Sequence, residues 1–237
     1  FTSSGLAAAD QVVDTPTDNF CTWNPVNPQP AASNTMVLSD GNLNVVQGST
    51  ANQNVLSTHQ LHGKQYMEIK LIDSSNPNGT RQAIGVVEEN TVFASGYLPY
   101  NSDTFGGVMF PLLTIYSDGT ADPSEPDYGS LANGETLGFA ISEDDGKYWC
   151  RIDDGDWLGG GDPETTSSTP TGTFSNITTG QWIVACYDTD DNNTSDFGQL
   201  GYAYTAPSGY ETVSTANLAD PTIADPSKYF NTVLYTG

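Results

Sequence analysis

The feature that most constrains this chain is its punctuation. Asp-Gly pairs recur at Asp40-Gly41, Asp118-Gly119, Asp145-Gly146 and Asp154-Gly155, with Asn-Gly at Asn78-Gly79 and Asn133-Gly134. Both dipeptides tolerate the left-handed backbone that tight hairpin turns demand. Between them the apolar runs are short and alternate with polar residues, the period of a half-buried strand rather than of a helix. From Gln65 to Asp73, Met67, Ile69 and Leu71 share one face while Glu68 and Lys70 take the other. Leu137, Phe139 and Ile141 repeat the device, and Tyr148, Cys150 and Ile152 repeat it again beyond Asp145-Gly146, which makes this pair the clearest hairpin. Met36 to Leu38, Leu43 to Val46, Ala83 to Val87, Val108 to Tyr116 and Trp182 to Tyr187 are further strands. The expectation is an all-β, antiparallel sandwich with at most short helical turns.

A chain of 237 residues is long enough for one large sandwich. Its 29 acidic residues against 6 Lys plus Arg give a formal charge of −23, which repels phosphate backbones and excludes nucleic acid as a partner. Such a surface suits a salty medium, where its self-repulsion is screened. No apolar run approaches the roughly 20 residues of a membrane span, and no basic start leads into an apolar stretch, so neither membrane insertion nor a secretory leader is expected. Phe1 stands where a Met would begin a nascent chain, so the sequence reads as a piece of something longer. Cys21, Cys150 and Cys186 lack zinc-site spacing; Cys150 and Cys186 sit among strand aromatics and read as buried free thiols.

Several motifs carry a family resemblance. Thr58 with His62-Gly63-Lys64-Gln65-Tyr66-Met67-Glu68-Ile69, then Ile84-Gly85-Val86, Gly138-Phe139-Ala140-Ile141, Asp145-Gly146-Lys147-Tyr148-Trp149-Cys150 and Trp157 with Gly159-Gly160-Gly161-Asp162-Pro163 stand in order along the chain. Together with Phe20-Cys21-Thr22-Trp23-Asn24-Pro25 and the closing run from Asp196 to Gly237, they resemble the SPRY-like domains of structural and tail-fibre proteins of tailed bacterial viruses. Met67 replaces a customary aromatic and Asp153-Asp154-Gly155 a customary Asn-Gly, so the family's binding properties do not transfer. The resemblance implies a bent antiparallel β-sandwich, a SPRY or concanavalin-like jelly roll with a short irregular C-terminal extension. Residues 1–19 would be a linker or the edge of a preceding module, 20–206 the sandwich, and 207–237 the extension packing on it.

The same resemblance implies a non-enzymatic virion module in a fibre, spike or head decoration, assembled in the host cytoplasm and displayed on the virion surface. Its expected partners are a host-surface glycan or neighbouring virion subunits, including copies of itself in a homo-oligomer. A purely architectural spacer and the non-catalytic part of a polysaccharide depolymerase are the alternatives. Tyr97, Tyr100, Tyr116, Tyr128 and Trp157 lie near Gly and Asp loops and are candidates to stack on sugar rings, with Asp154 beside Trp157 to take hydroxyls. Trp157 leads this group because a triple glycine follows it. The enzymatic reading rests on Glu68-Ile69-Lys70-Leu71-Ile72-Asp73, since glucanases of this architecture set carboxylates at alternate strand positions. It fails here because Lys70 and Ile72 occupy the needed positions. Glu143-Asp144-Asp145 reads as a solvated turn. No cofactor is expected. His59 and His62 lack a third ligand, and the one metal candidate is calcium at Asp188, Asp190 and Asp191, an oxygen-rich cluster whose other reading is a charged hairpin tip.

The charge supports a direct expectation. With −23 formal charges the folded surface repels itself more than the expanded chain does, so the melting temperature rises between low salt and seawater-like salt. Thermal scans across a sodium chloride series check it; a flat or falling series would show that the acids are too dispersed to matter.

Overall fold

The computed structural model describes residues 14, 18–26, 36–47, 53–74, 80–88, 104–121, 128–165, 167–175, 181–187 and 191–217. Thirteen strands are found among them: β1 (Met36–Ser39), β2 (Asn44–Gln47), β3 (Gln53–Gln60), β4 (Lys64–Ser74), β5 (Thr80–Glu88), β6 (Gly106–Pro111), β7 (Thr114–Ser117), β8 (Thr120–Ala121), β9 (Thr136–Ser142), β10 (Lys147–Ile152), β11 (Gly172–Thr173), β12 (Gln181–Tyr187) and β13 (Asp191–Asp196). They form a seven-stranded sheet in the order β1-β2-β13-β4-β9-β10-β11 and a six-stranded sheet in the order β3-β12-β5-β6-β7-β8. Every pairing between these strands is antiparallel. The all-β sandwich expected from the alternation is what the chain forms.

The alternation explains the core. Met67, Ile69 and Leu71 of β4, Leu137, Phe139 and Ile141 of β9, and Tyr148 and Cys150 of β10 meet Ile84, Val86, Val108, Phe110, Ile115 and Ile183 of the other sheet in one buried cluster. Each such aliphatic or aromatic side chain contributes about 1.5–3 kcal/mol by leaving water. The Tyr148 hydroxyl crosses between the sheets and lies within hydrogen-bonding distance of the Gly107 and Tyr116 carbonyls, at 2.7 and 2.8 Å. The Asp145-Gly146 turn joins β9 to β10 as expected, with Lys147 opposite Ser142. Asp40, Gly41, Asp118 and Gly119 have the positive φ that their turns require. Asn78-Gly79 lies outside the described residues. Cys21 and Cys150 are buried and neither is in a disulfide, and burial pushes the Cys21 thiol up to about 11. The side chain of Cys186 is outside the described residues.

Two expectations need correction, and one strand goes unread in the sequence. Val108 to Tyr116 is two strands of a hairpin, β6 and β7, because Pro111 has no N–H to continue a ladder and the chain reverses at Leu112-Leu113. The polar run Gln53–Gln60 is a strand with Gln53, Asn54 and Ser57 buried. Most consequentially, Asp191, which the sequence groups with Asp188 and Asp190 in one oxygen-rich cluster, opens the strand β13, inserted between β2 and β4, while Asp188 and Asp190 lie outside the described residues. The inward side chains of β13 are polar and buried, and each finds a partner. Asn193 Nδ2 donates to Gln82 Oε1 of the opposite sheet at 2.5 Å, and Ser195 Oγ accepts from Trp23 Nε1 at 3.0 Å. Pairing of this kind offsets most of the cost of burying a polar group.

Past β13 the chain detours. Asp196 is opposite Glu68, Phe197 still packs in the main core edge-on to Trp23, residues 202–206 then lie over the outer face of the seven-stranded sheet, and Glu211 returns beside β4 in a parallel bridge with Gln65. Val213 reaches the main core, Phe20 bridges Ser214, and a short 3-10 turn occupies Thr215–Asn217. Residues 1–13 and 218–237, the bulk of the expected linker and extension, lie outside the described residues.

The Asn193–Gln82 pair supports a test. Asn193→Ala leaves the Gln82 amide oxygen buried without that partner and lowers unfolding stability by about 1–3 kcal/mol. Urea denaturation measures it, and a loss below about 0.5 kcal/mol, the scale of an ordinary surface change, would show that the pair does not tie the sheets.

Candidate functional site

The outward face of the seven-stranded sheet is built from rows of directly opposed residues. Thr194, Lys70 and Thr136 form one row across β13, β4 and β9. Asp196, Glu68, Gly138 and Arg151 form the next, extending to β10. Tyr66, Ala140 and Trp149 form a third. Residues 202–206 cover the second and third rows, while in the first row Lys70 is exposed, Thr194 half-buried and Thr136 buried.

Glu68 fastens that cover. The sequence places it on the face opposite the core, which is correct, yet it is buried because residues 203 and 204 lie on it. Its Oε2 accepts from the Ala203 amide at 2.8 Å, and its Oε1 from the Tyr204 amide and the Tyr66 hydroxyl, both at 3.0 Å. The Tyr202 hydroxyl donates to the Tyr66 carbonyl at 2.5 Å, and the two rings meet edge to face. Burial, and then the Glu68 charge, hold the Tyr66 phenol well above its ordinary value, so it serves as a donor at every physiological pH. Gly138 makes the row possible: a Cβ there would stand 2.6 Å from Tyr66 Oη and 3.3 Å from Arg151 Cγ. A larger residue would push both away.

Arg151, itself buried, is the second fastener. Its Nη2 donates to the Thr205 carbonyl at 2.5 Å, its Nη1 to Asp154 at 3.3 Å, and its guanidinium lies 4.7 Å from the centre of the Trp157 ring. Trp157 and Asp154 are therefore brought together, but by a shared arginine rather than around a ligand. The Trp157 indole is partly buried against the cluster of Tyr66, Ala140, Trp149 and Tyr210, and one of its faces carries a cation. Tyr128 packs on the main core with its hydroxyl beside Gly159, and Tyr116 is buried edge-on to Phe105. Tyr97, Tyr100, Asp188 and Asp190 lie outside the described residues. Asp191 is placed by its backbone in β13, opposite Gln47 and Ser74, and its side chain is not described. His62 Nδ1 is 3.9 Å from Glu143, and His59 Nδ1 is 3.2 Å from the Thr58 hydroxyl; among the described residues no three His, Cys, Asp or Glu converge as a metal set.

The first row lies in a cleft of about 270 Å³ lined by Glu68, Lys70, Ile72, Thr136, Thr194 and Asp196, with Leu200 and Ala203 forming its lip. Ile72 and Leu200 are 42% and 49% exposed, so apolar surface is open to solvent on both sides of Lys70. The alternation in β4 already sets Glu68, Lys70 and Ile72 on one face. Nothing in the sequence marks Thr194, Asp196 or Leu200 as their neighbours, because the insertion of β13 is a tertiary event. Asp196 Oδ1 accepts from the Gly198 amide at 2.8 Å and the Leu200 amide at 3.1 Å, an arrangement that shapes the lip.

Burial raises the Asp196 carboxyl above its ordinary value, and the two amide bonds offset this only in part. A carboxyl raised on folding supports the folded state fully below its unfolded value and loses that contribution as pH rises through its folded value. At neutral pH its ionised form is thus a burden on stability. Asp196→Asn, which keeps an oxygen for both amides, raises the melting temperature near pH 7 and leaves it unchanged near pH 3; a wild type more stable than the variant at pH 7 would refute the burial effect.

No protein-family model matches the sequence, and no curated protein sequence matches it. Among solved structures, the SPRY domain of human HERC1 matches with a TM-score of 0.50 and 8% identity, over 68% of this chain and 91% of that one. The PSpry domain of TRIM65 matches with a TM-score of 0.50 and 13% identity, over 75% of this chain and 92% of that one. Likeness at these identities concerns the path of the backbone, and on that ground the fold is a SPRY-like β-sandwich.

Proposed function

We propose that this chain is a non-catalytic recognition module on the virion surface of a tailed virus, and that the open half of its seven-stranded sheet holds a host-surface glycan. The observation that carries the recognition role is the cleft. At about 270 Å³ it is close to the lower end of ligand pockets, roughly 300–1,000 Å³, and so suits one sugar ring of a longer chain. Ile72 and Leu200 supply aliphatic surface for the ring's C–H face, while Lys70, Thr136 and Thr194 supply polar groups for its hydroxyls. Glu68, the carboxylate that a hydrolase reading needs, has its oxygens engaged by two backbone amides and a phenol, which favours a binding role over a catalytic one. The viral setting is supported by the motif resemblance and by an acidic surface fit for a saline medium.

The second reading, an architectural spacer in an oligomeric fibre, draws on the same exposed Ile72 and Leu200, which a neighbouring subunit would cover. Leu200→Glu separates the two. Under the glycan reading it weakens attachment of the fluorescently labelled chain to host-cell polysaccharide about tenfold or more, with the melting temperature nearly unchanged because the side chain is half exposed. If no polysaccharide binds, and sedimentation shows an oligomer that Leu200→Glu dissociates, the spacer reading replaces it.

A further inference from the structure

The chain has only 6 basic residues against 29 acidic ones, so each of its cations has acids in abundance to pair with. The described cations are used accordingly. Arg151 is held by Asp154, Thr205 and Trp157; Lys64 lies over the Tyr210 ring at 5.7 Å; Lys147 is engaged as well. Lys70 differs. It is exposed, stands at the centre of the first row, and makes no ion pair among the described residues. Glu68 and Asp196 line the same cleft, and each accepts hydrogen bonds from neutral groups, Glu68 from Tyr66 and the amides of Ala203 and Tyr204, and Asp196 from the amides of Gly198 and Leu200. Beside Lys70, the Thr136 hydroxyl has no hydrogen-bond partner among the described residues, whereas the Thr194 hydroxyl donates to Asn44 at 3.2 Å. A cation and a hydroxyl donor therefore face the same cleft, flanked by the apolar surfaces of Ile72 and Leu200.

We infer, building on the glycan reading of this cleft, that it selects a saccharide bearing an anionic group, a carboxylate or a sulfate ester, and that Lys70 recognises the charge. An ammonium is a compact point charge with three donors, suited to either anion, and the Thr136 hydroxyl adds a further donor. The overall charge of −23 does not prevent this contact. Repulsion from distant acids is screened beyond about 8 Å at physiological ionic strength and over a shorter distance in brine, while inside the cleft both the Lys70 contact and the repulsion from Glu68 and Asp196 are screened less, so the net preference for an anion is modest. The acidic surface then acts as a filter, repelling polyanions at large and admitting an anionic group where it meets Lys70.

Calorimetric titration of this chain with three probes tests the inference: an oligogalacturonate, its fully methyl-esterified form, and a sulfated galactan oligosaccharide of similar length. The expected result is that at least one of the two charged probes binds about five- to tenfold more tightly than the ester, the scale of one partly exposed charge contact, and which one it is identifies the anion. Lys70→Gln removes the preference and Lys70→Arg largely retains it, both with unchanged melting temperature. Equal binding of charged and esterified probes would overturn the role of Lys70 and leave the glycan reading standing. Loss of binding to all three would overturn both. A preference for charge that survives in Lys70→Gln would place its recognition elsewhere and overturn the inference.

Discussion

The structure depends on the insertion of one polar strand. β13 has almost no apolar residue, yet it sits between β2 and β4 and joins the β1–β2 hairpin to the rest of the seven-stranded sheet. Its backbone is satisfied on both sides by ladder hydrogen bonds, and its inward side chains by Gln82 and Trp23. A strand of this composition has no hydrophobic drive of its own; what holds it is that its polar groups, once desolvated, have partners at the right depth. Those pairings are also directional. They set the register that turns Thr194 and Asp196 outward, and with it the composition of the cleft.

Where β13 ends, the chain leaves the sheet and covers half of its outer face. Two charged groups hold this cover, and they act in complementary ways. Glu68 accepts from the Ala203 and Tyr204 amides and Arg151 donates to the Thr205 carbonyl, so one anion and one cation hold three consecutive residues of the same segment. Charge-assisted bonds to backbone are among the stronger polar contacts, and both groups are nearly sealed from water. The small size of Gly138 allows Tyr66 and Arg151 to approach one another above the sheet. The cleft is what remains of the face after this segment has been fastened, and its lip at Leu200 is placed by the carboxylate of Asp196.

Trp157 shows how local and tertiary information diverge. Its setting between Asp154-Gly155-Asp156 and a triple glycine suits an exposed loop, and the backbone there does turn, with positive φ at Gly159 and Gly160. The indole nevertheless folds back over Arg151. A guanidinium that is buried on one side gains from a π face on the other, and this draws the tryptophan toward the sheet. The aromatic that reads from sequence as the leading sugar platform thus serves first to support the arginine that fastens the cover.

Much of the architecture was legible in the chain itself. Alternation in β4, β9 and β10 defined which side chains meet in the core, and the Asp-Gly pairs located the turns, because period two and left-handed backbone are local properties set by neighbouring residues. The order of motifs along the chain was enough to suggest a SPRY-like sandwich. The same alternation set Glu68, Lys70 and Ile72 on one face. What it left open was which of them would be covered and which would line a cleft, since that is decided by residues more than a hundred positions away. β3 and β13 were illegible for the same reason: in Gln, Asn, Ser and Asp, strand and loop have similar local energies, and only partners supplied by the opposite sheet or by adjacent strands separate them. Burial of polar groups is favourable only when geometry completes their hydrogen bonds, and that geometry exists only in the assembled fold.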